Sequence, residues 1–195
     1  MPDSLITKKA IAASFKELCR EKGFGKVSVG DVTAACGLNR QTFYYHFEDK
    51  YELLDWVYYH DIFAGLVTGI TLDNWPQHLA ALLRGMQADK KFYAGTVKAQ
   101  PEHFFQYLFR IVHPLFEEAI QQLNGPDGPD QETASFYADF FTHGCCGVIL
   151  TWAAGGMQAS GDEIAARLAR LSDDAQQLSC RLQAKQKALP SKPLF

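Results

Sequence analysis

Apolar residues recur along this chain at steps of three and four and almost nowhere at steps of two. That periodicity predicts helices and leaves no strand worth naming. The first helix is expected over 5–22, with Ile11, Phe15 and Leu18 on one face and Gly23 ending it. Ser28 is placed to cap a short second helix, with Asp31 three residues on in the manner of a capping box. Val29, Val32 and Cys36 share that helix's apolar side. Gly37-Leu38 reads as a turn, and a third helix follows from about Asn39 to His46. Asp49 caps a fourth, with Glu52 at its third position. Leu53, Leu54, Val57, Ile62 and Leu66 give this fourth helix an apolar side out to about Thr68.

Further on, Asn74-Trp75-Pro76 opens another helix, with Pro in the first turn where its missing N–H costs nothing. Residues 102–123 form an aromatic-rich helix with a bend expected near Pro114, and NGPDGPD at 124–130 is the clearest loop. The last two helices are expected at 131–154 and 162–183, separated by AGGMQASGD, with Ser160 and Glu163 as a second box signature. A tail over 184–195 contains Pro190 and Pro193. There is no internal repeat. Nearly ten helices without strands predict an all-α fold.

Composition narrows the class. The chain has 195 residues, 47 % of them hydrophobic, so a sizeable core can form. The net charge of −3 excludes a surface that is basic throughout. Residues 1–50 nevertheless hold 8 Lys and Arg against 6 Asp and Glu, while the remaining 145 hold 11 against 16. A mildly basic first segment on an acidic body points to a polyanion partner at one end. The five cysteines, Cys19, Cys36, Cys145, Cys146 and Cys180, are odd in number and match no disulfide scaffold. No apolar signal segment opens the chain and no apolar run of membrane-spanning length exists, so a reduced, cytoplasmic compartment is expected, with no membrane partner.

The candidate chemistry lies in GLNRQTFYYHF, residues 37–47. Three short helices before a long one predict a helix-turn-helix unit, with residues 1–47 as a DNA-binding domain. Phe43 and Phe47 are four apart and both face inward, toward Phe15, Leu18 and Val32. Arg40, Gln41, Tyr44 and Tyr45 then point outward, with Thr42 and His46 flanking. Arg pairs with guanine and Gln with adenine in the major groove, while hydroxyl and N–H groups suit phosphates. The start of the second helix, capped by Ser28, offers a phosphate another site, and Lys50 anchors the far side. Helix-turn-helix shapes also occur in proteins that never touch DNA. A helical protein-interaction module with a vestigial helix-turn-helix is therefore the alternative.

The segment CGLNRQTFYYHFEDKYEL resembles the recognition segment of the TetR (tetracycline-repressor-like) transcriptional regulators. Gly37, Thr42, Phe43, Tyr44, Tyr45, His46, Phe47 and Lys50 match that pattern, as does the preceding VSVGDVTAACG, although Gly30 stands where many members carry a larger residue. The resemblance implies that Tyr44, His46 and Lys50 clamp phosphates with help from Thr42 and Ser28, and that Arg40, Gln41 and Tyr45 approach bases. It also implies a helical ligand-sensing and dimerisation domain over 48–183. The segment FYADFFTHGCCGVILTWAAGGMQASGDEIAARL is similar to regulators linked to dihydroxyacetone kinase operons, a subgroup that implies a kinase-like coactivator protein.

Ile164, Leu168, Leu171, Ala175, Leu178 and Leu182 alternate steps of four and three as a continuous seam. The helix before it offers Phe140, Gly144, Gly147 and Val148. Two such helices from each of two chains predict a four-helix homodimer interface, and hence a near-palindromic double-stranded operator with half-sites whole turns apart, each roughly 34–36 Å. Phe92, Tyr93, His103, Phe104, Tyr107 and His113 are the residues most suited to an apolar ligand pocket, with ordinary core as the competing account. The effector, small molecule or partner protein, is not specified by these residues. His143, Cys145 and Cys146 invite a metal or thiol site. Structural zinc needs four ligands and no second cluster accompanies them, so buried small residues are the plainer account. No cofactor, metal or catalytic residue is expected.

Overall fold

The computed structural model describes the backbone of residues 2–64, 69–71, 73–123 and 130–188, and the side chains of 4–64, 69–71, 73–122 and 130–174. Nine α-helices and two short irregular turns make up the described residues, and no strand occurs among them. Helices α1 (Pro2–Lys22), α2 (Val29–Ala35) and α3 (Arg40–His46) form the first unit, with a 3-10 turn at Phe24–Lys26 between α1 and α2. Helix α4 spans Lys50–Tyr58, α5 Trp75–Ala88, α6 Lys90–Ala99, α7 Pro101–Leu123, α8 Gln131–Ala154 and α9 Gly161–Ala188.

The helices end where local chemistry ends them. Gly23 stops α1 at φ 80°. Ser28 and Asp31 form a complete capping box, with Asp31 N donating to Ser28 Oγ and Ser28 N donating to the Asp31 carboxylate. At Ser160 only half of the expected box exists: Glu163 N donates to Ser160 Oγ at 3.1 Å, but the Glu163 carboxylate instead accepts from Arg167. The helix that opens at Trp75 ends at Asp89 (φ −121°, ψ 47°), where a second, shorter one begins and runs to Gln100 (φ −137°, ψ 61°). Gln100 precedes Pro101, whose ring crowds the helical conformation of its predecessor.

The fourth helix differs from the expectation. It does not run straight to Thr68; α4 ends at Tyr58 and one π turn follows over Tyr59–Phe63, closed by Ala64 N donating to Tyr59 O at 2.7 Å. The extra residue in that turn rotates the register. Ile62 and Phe63 are thereby both buried, where an uninterrupted helix would aim Phe63 toward the exposed Tyr59 side. Leu66 and Thr68, the 124–129 part of the loop, and Pro190 and Pro193 lie outside the described residues, as do the side chains of Ala175, Leu178, Cys180 and Leu182. Helix α9 continues to Ala188, beyond the expected start of the tail at 184.

One buried cluster runs from Ile11 through to Ala165, so the first three-helix unit and the helices behind it share a core. Phe15 of α1 packs edge-on against Phe92 of α6, with centroids 6.2 Å apart. A polar strap lies beside this contact. Arg20 Nε donates to Asp89 Oδ1 at 2.9 Å, and Lys16 pairs with Asp89 at 3.0 Å and with Asp61. Partial burial alone would push the Asp89 carboxyl up, but the hydrogen bonds from Arg20 and Lys16 outweigh it and hold the group below the usual carboxylate range.

Phe92, Tyr93, Phe104 and Tyr107 are buried and fill the space between α4, α6 and α7. Their rings meet Tyr58 at centroid distances of 6.4, 5.9, 5.5 and 5.4 Å. Tyr58 also donates to Thr96 Oγ1 at 3.0 Å. His103 sits at the edge of this cluster, with Nε2 2.7 Å from Asp55 of α4. His113 stacks on Phe109, and its Nε2 lies 3.0 Å from Asp139 of α8, close enough for an ion pair although outside hydrogen-bond geometry. Tyr107 also borders an open cavity of about 340 Å³ with Asp55, Trp56, Tyr59 and Arg110.

Helix α9 packs on α5, and α8 packs on α7 and α6. Gly161 makes the first contact possible, since a Cβ there would lie 2.7 Å from that of Leu83. The expected seam is thus divided. Ile164 is buried within the chain and Leu168 is half-buried, whereas Leu171 is 62 % exposed. On α8, Phe136, Phe140, Gly144 and Val148 succeed one another every four residues and all face solvent. Between α8 and α9 lies an open groove of about 590 Å³ lined by His143, Gly144, Gly147, Val148, Trp152 and Ile164, among others.

The Asp89 strap is testable. A carboxyl whose folded pKa is depressed contributes stability above its unfolded pKa and loses it as the pH falls toward the folded value. Asp89→Asn is expected to cost about 1–3 kcal/mol at neutral pH, as for charge-assisted hydrogen bonds. The difference from wild type should narrow below about pH 4. Urea unfolding at neutral and acidic pH measures both; a cost that does not change with pH would remove the ionic contribution.

Candidate nucleic-acid interface

The turn between α2 and α3 is built from backbone hydrogen bonds. Gly37 adopts φ 68°, Leu38 N donates to Thr33 O at 2.9 Å and Gly37 N to Ala34 O at 3.4 Å. This is the paired closure of a Schellman motif, and its left-handed residue favours glycine. Asn39 then starts α3, its Oδ1 accepting from Thr42 N at 2.7 Å and from the Thr42 hydroxyl at 3.0 Å.

Helix α3 divides as its spacing requires. Phe43 is fully buried and Phe47 nearly so, with ring centroids 5.8 Å apart, and both join the cluster that holds Phe15, Val32 and the half-buried Leu18. Phe47 also meets Trp56 of α4 at 6.0 Å. Burying a Phe side chain contributes about 1.5–3 kcal/mol, so these two anchors outweigh anything a seven-residue helix supplies by itself. Opposite them, Arg40 and Gln41 are exposed, as are Tyr44 at 56 % and Tyr45 at 81 %. His46 is half-buried, its ring against Tyr45 and Phe47.

The flanking polar residues are more committed than their sequence positions imply. The Ser28 hydroxyl accepts from Asp31 N and donates to the Asp31 carboxylate at 2.6 Å. The Ser28 hydroxyl first, and then Lys22, hold that carboxyl well below its ordinary range. A fixed anion thus stands at the start of α2, and the Ser28 proton is already used. The Thr42 proton likewise goes to Asn39. Lys50 Nζ donates to the carbonyls of Phe24 at 3.2 Å and Val27 at 3.0 Å, and lies 4.5 Å from the centre of the Phe24 ring. Two of its three ammonium protons are therefore engaged within the fold.

Several other cations of the first unit are similarly occupied. Lys16, Arg20 and Lys22 form ion pairs and Lys8 sits over the Phe47 ring. Arg40 and the exposed Lys26 carry no hydrogen bond or ion pair among the described residues. Lys26 lies two residues before the Ser28 cap.

The sulfur cluster has a different character. Burial pushes the Cys145 thiol up to about 11, and burial followed by the Cys145 neighbour pushes Cys146 up to about 12. Both are poor thiolates at neutral pH. Among the described residues no group of three or more His, Cys, Asp or Glu is placed to hold a metal, and no helix is long and apolar enough to cross a membrane.

Residues 11–57 match the family described as "Bacterial regulatory proteins, tetR family", and residues 73–174, more than half of the chain, match "Transcriptional regulator C-terminal region". Over 112 residues the chain is 36% identical to the HTH-type dhaKLM operon transcriptional activator DhaS of Lactococcus lactis subsp. lactis (strain IL1403). That match covers 54% of this chain and only 57% of the relative. Among solved structures, the dihydroxyacetone kinase operon activator DhaS superposes with a TM-score of 0.65 at 24% identity, covering 96% of this chain and 99% of that one. Thermus thermophilus FadR, a repressor solved in complex with lauroyl-CoA, superposes with a TM-score of 0.51 at 19% identity over 84% of this chain and 92% of its own. These likenesses are to the fold. With family matches on both its halves, the chain belongs to the TetR family of bacterial transcriptional regulators.

Proposed function

We propose that the protein is a sequence-specific DNA-binding regulator that works as a homodimer and is controlled by a bound effector. The observation that carries the DNA-binding part is the division of α3. Phe43 and Phe47 fix it to the core, and the side presented to solvent bears Arg40, Gln41, Tyr44 and Tyr45. Arg40 and Gln41, at the helix start, are suited to base edges. The phenols of Tyr44 and Tyr45, His46, and the free Lys26 are suited to phosphates. Lys50 reaches a phosphate with its remaining proton while it holds the turn before α2 in place. Ser28 and Thr42 act chiefly as caps, and contribute to phosphate only by re-aiming their hydroxyls.

The exposed apolar line on α8 supports the dimer. Phe136 and Phe140 are each 66 % exposed and Val148 42 %, and Leu171 on α9 adds to the same need for cover. A second copy laying its own α8 and α9 across the groove forms a four-helix interface, with Gly144 and Gly147 permitting close approach. Two-fold symmetry then requires a near-palindromic operator.

Control fits an equilibrium between two spacings of the paired α3 helices, biased by an effector that prefers one of them. The close packing of Phe92, Tyr93, Phe104 and Tyr107 favours an effector seated at the surface, such as a partner protein, over a small molecule enclosed among those rings. The similarity to proteins named as activators of a dihydroxyacetone kinase operon favours an operon of that kind as the target.

Three measurements test this function. Arg40→Ala and Gln41→Ala should each change the preferred sequence, with about 1–3 kcal/mol lost at the affected base pair; selection from randomised duplexes reads this, and two unchanged profiles would refute base reading by α3. Lys50→Ala should weaken every duplex alike and flatten the salt slope by about one. It should also lower the melting temperature, because the Phe24 and Val27 carbonyls lose their donor; a loss confined to one sequence would make Lys50 a base contact instead. Phe140→Asp or Leu171→Arg should give folded monomers in sedimentation velocity, and intact dimers in both would place the interface elsewhere.

A further inference from the structure

Gly30 occupies the second position of α2, inside the helix, and is not among the glycines with positive φ. Its backbone is one that alanine adopts readily, and alanine is the better helix former. Conformational freedom therefore does not account for it. Space does. An ideal Cβ at position 30 would lie 2.7 Å from Arg40 Nη2, 3.5 Å from Cζ and 3.6 Å from Nε. The guanidinium of Arg40 thus lies across the Cα of Gly30. Among the described glycines, Gly30 is the one whose added Cβ would strike a long side chain alone. At Gly155 and Gly161 the close contacts include backbone atoms.

Arg40 is the first residue of α3, and its guanidinium has no hydrogen bond or ion pair among the described residues. Its aim is set by the surface it rests on, not by a partner charge, and its donors stay free. A guanidinium reads guanine through two parallel hydrogen bonds, a geometry that a small displacement spoils.

We propose that Gly30 is a specificity-determining position: the side chain it lacks is the space in which Arg40 lies, so residue 30 sets which base Arg40 reads. This rests on the DNA-binding function proposed above. Helices α2 and α3 then present one shared arginine, and a methyl group on α2 displaces it without touching the core.

The test compares wild type, Gly30→Ala, Gly30→Ser, Arg40→Ala and the double variant Gly30→Ala/Arg40→Ala in selection from randomised duplexes, with thermal melts of each. Both Gly30 variants should melt at or above the wild-type temperature and bind random duplex in low salt as wild type does. They should lose roughly ten-fold or more of the discrimination at the base pair affected by Arg40→Ala. In the double variant, Gly30→Ala should add nothing to the loss caused by Arg40→Ala. Wild-type discrimination retained in Gly30→Ala and Gly30→Ser, while Arg40→Ala loses it, overturns this proposal and leaves DNA reading by α3 intact. Additive losses in the double variant also overturn it. A wild-type protein with no preferred sequence overturns it together with the function on which it rests.

Discussion

The burial of two phenylalanines holds α3 and its exposed side in place. Helix α3 has seven residues, too few to persist alone against the cost of nucleating a helix. It exists because Phe43 and Phe47 enter the cluster that contains Phe15 and Val32, and because Asn39 and the Gly37 turn satisfy the backbone at its start. Once those rings are inside, the remaining side chains have no choice of side. Arg40, Gln41, Tyr44 and Tyr45 face solvent because the helix is docked.

The chain carries a net charge of −3, and its positive charge is unevenly committed. Much of the positive charge in the first fifty residues serves the fold. Lys16 and Arg20 strap α1 to Asp61 and Asp89, Lys22 pairs with Asp31, and Lys50 satisfies two carbonyls. The charge available for a partner resides on a few unpaired groups, Arg40 foremost. The same Asp61 and Asp89 contacts join the first unit to the helices behind it, and Asp55 of α4 ties to His103 and Arg110 of α7. Phe47 of the segment after α3 in turn meets Trp56 of α4, with ring centroids 6.0 Å apart.

What could be read from the chain was what is decided within a few residues. The box at Ser28 and Asp31, the Gly37 turn, the cap at Asp49, and the inward pair Phe43 and Phe47 all depend on spacings of two to four residues, and all appear as expected. The π turn after Tyr58 was not readable, since Ile62 and Phe63 are equally apolar and only the packing behind them decides that both enter. The break at Asp89 was missed for a similar reason: its carboxylate is held by residues 69 and 73 positions away.

The sequence by itself determined the helical class, the helix-turn-helix, and which side of α3 faces outward, because those follow from local hydrogen bonding and from a short apolar period. Tertiary structure alone decided where long side chains end and which apolar faces remain uncovered. Lys50 turns to carbonyls 23 and 26 residues back, Ile164 is buried within the chain while Leu171 is left in solvent, and Phe92, Tyr93, Phe104 and Tyr107 close on Tyr58. These outcomes depend on distances between residues far apart in the chain, and no local pattern encodes such distances.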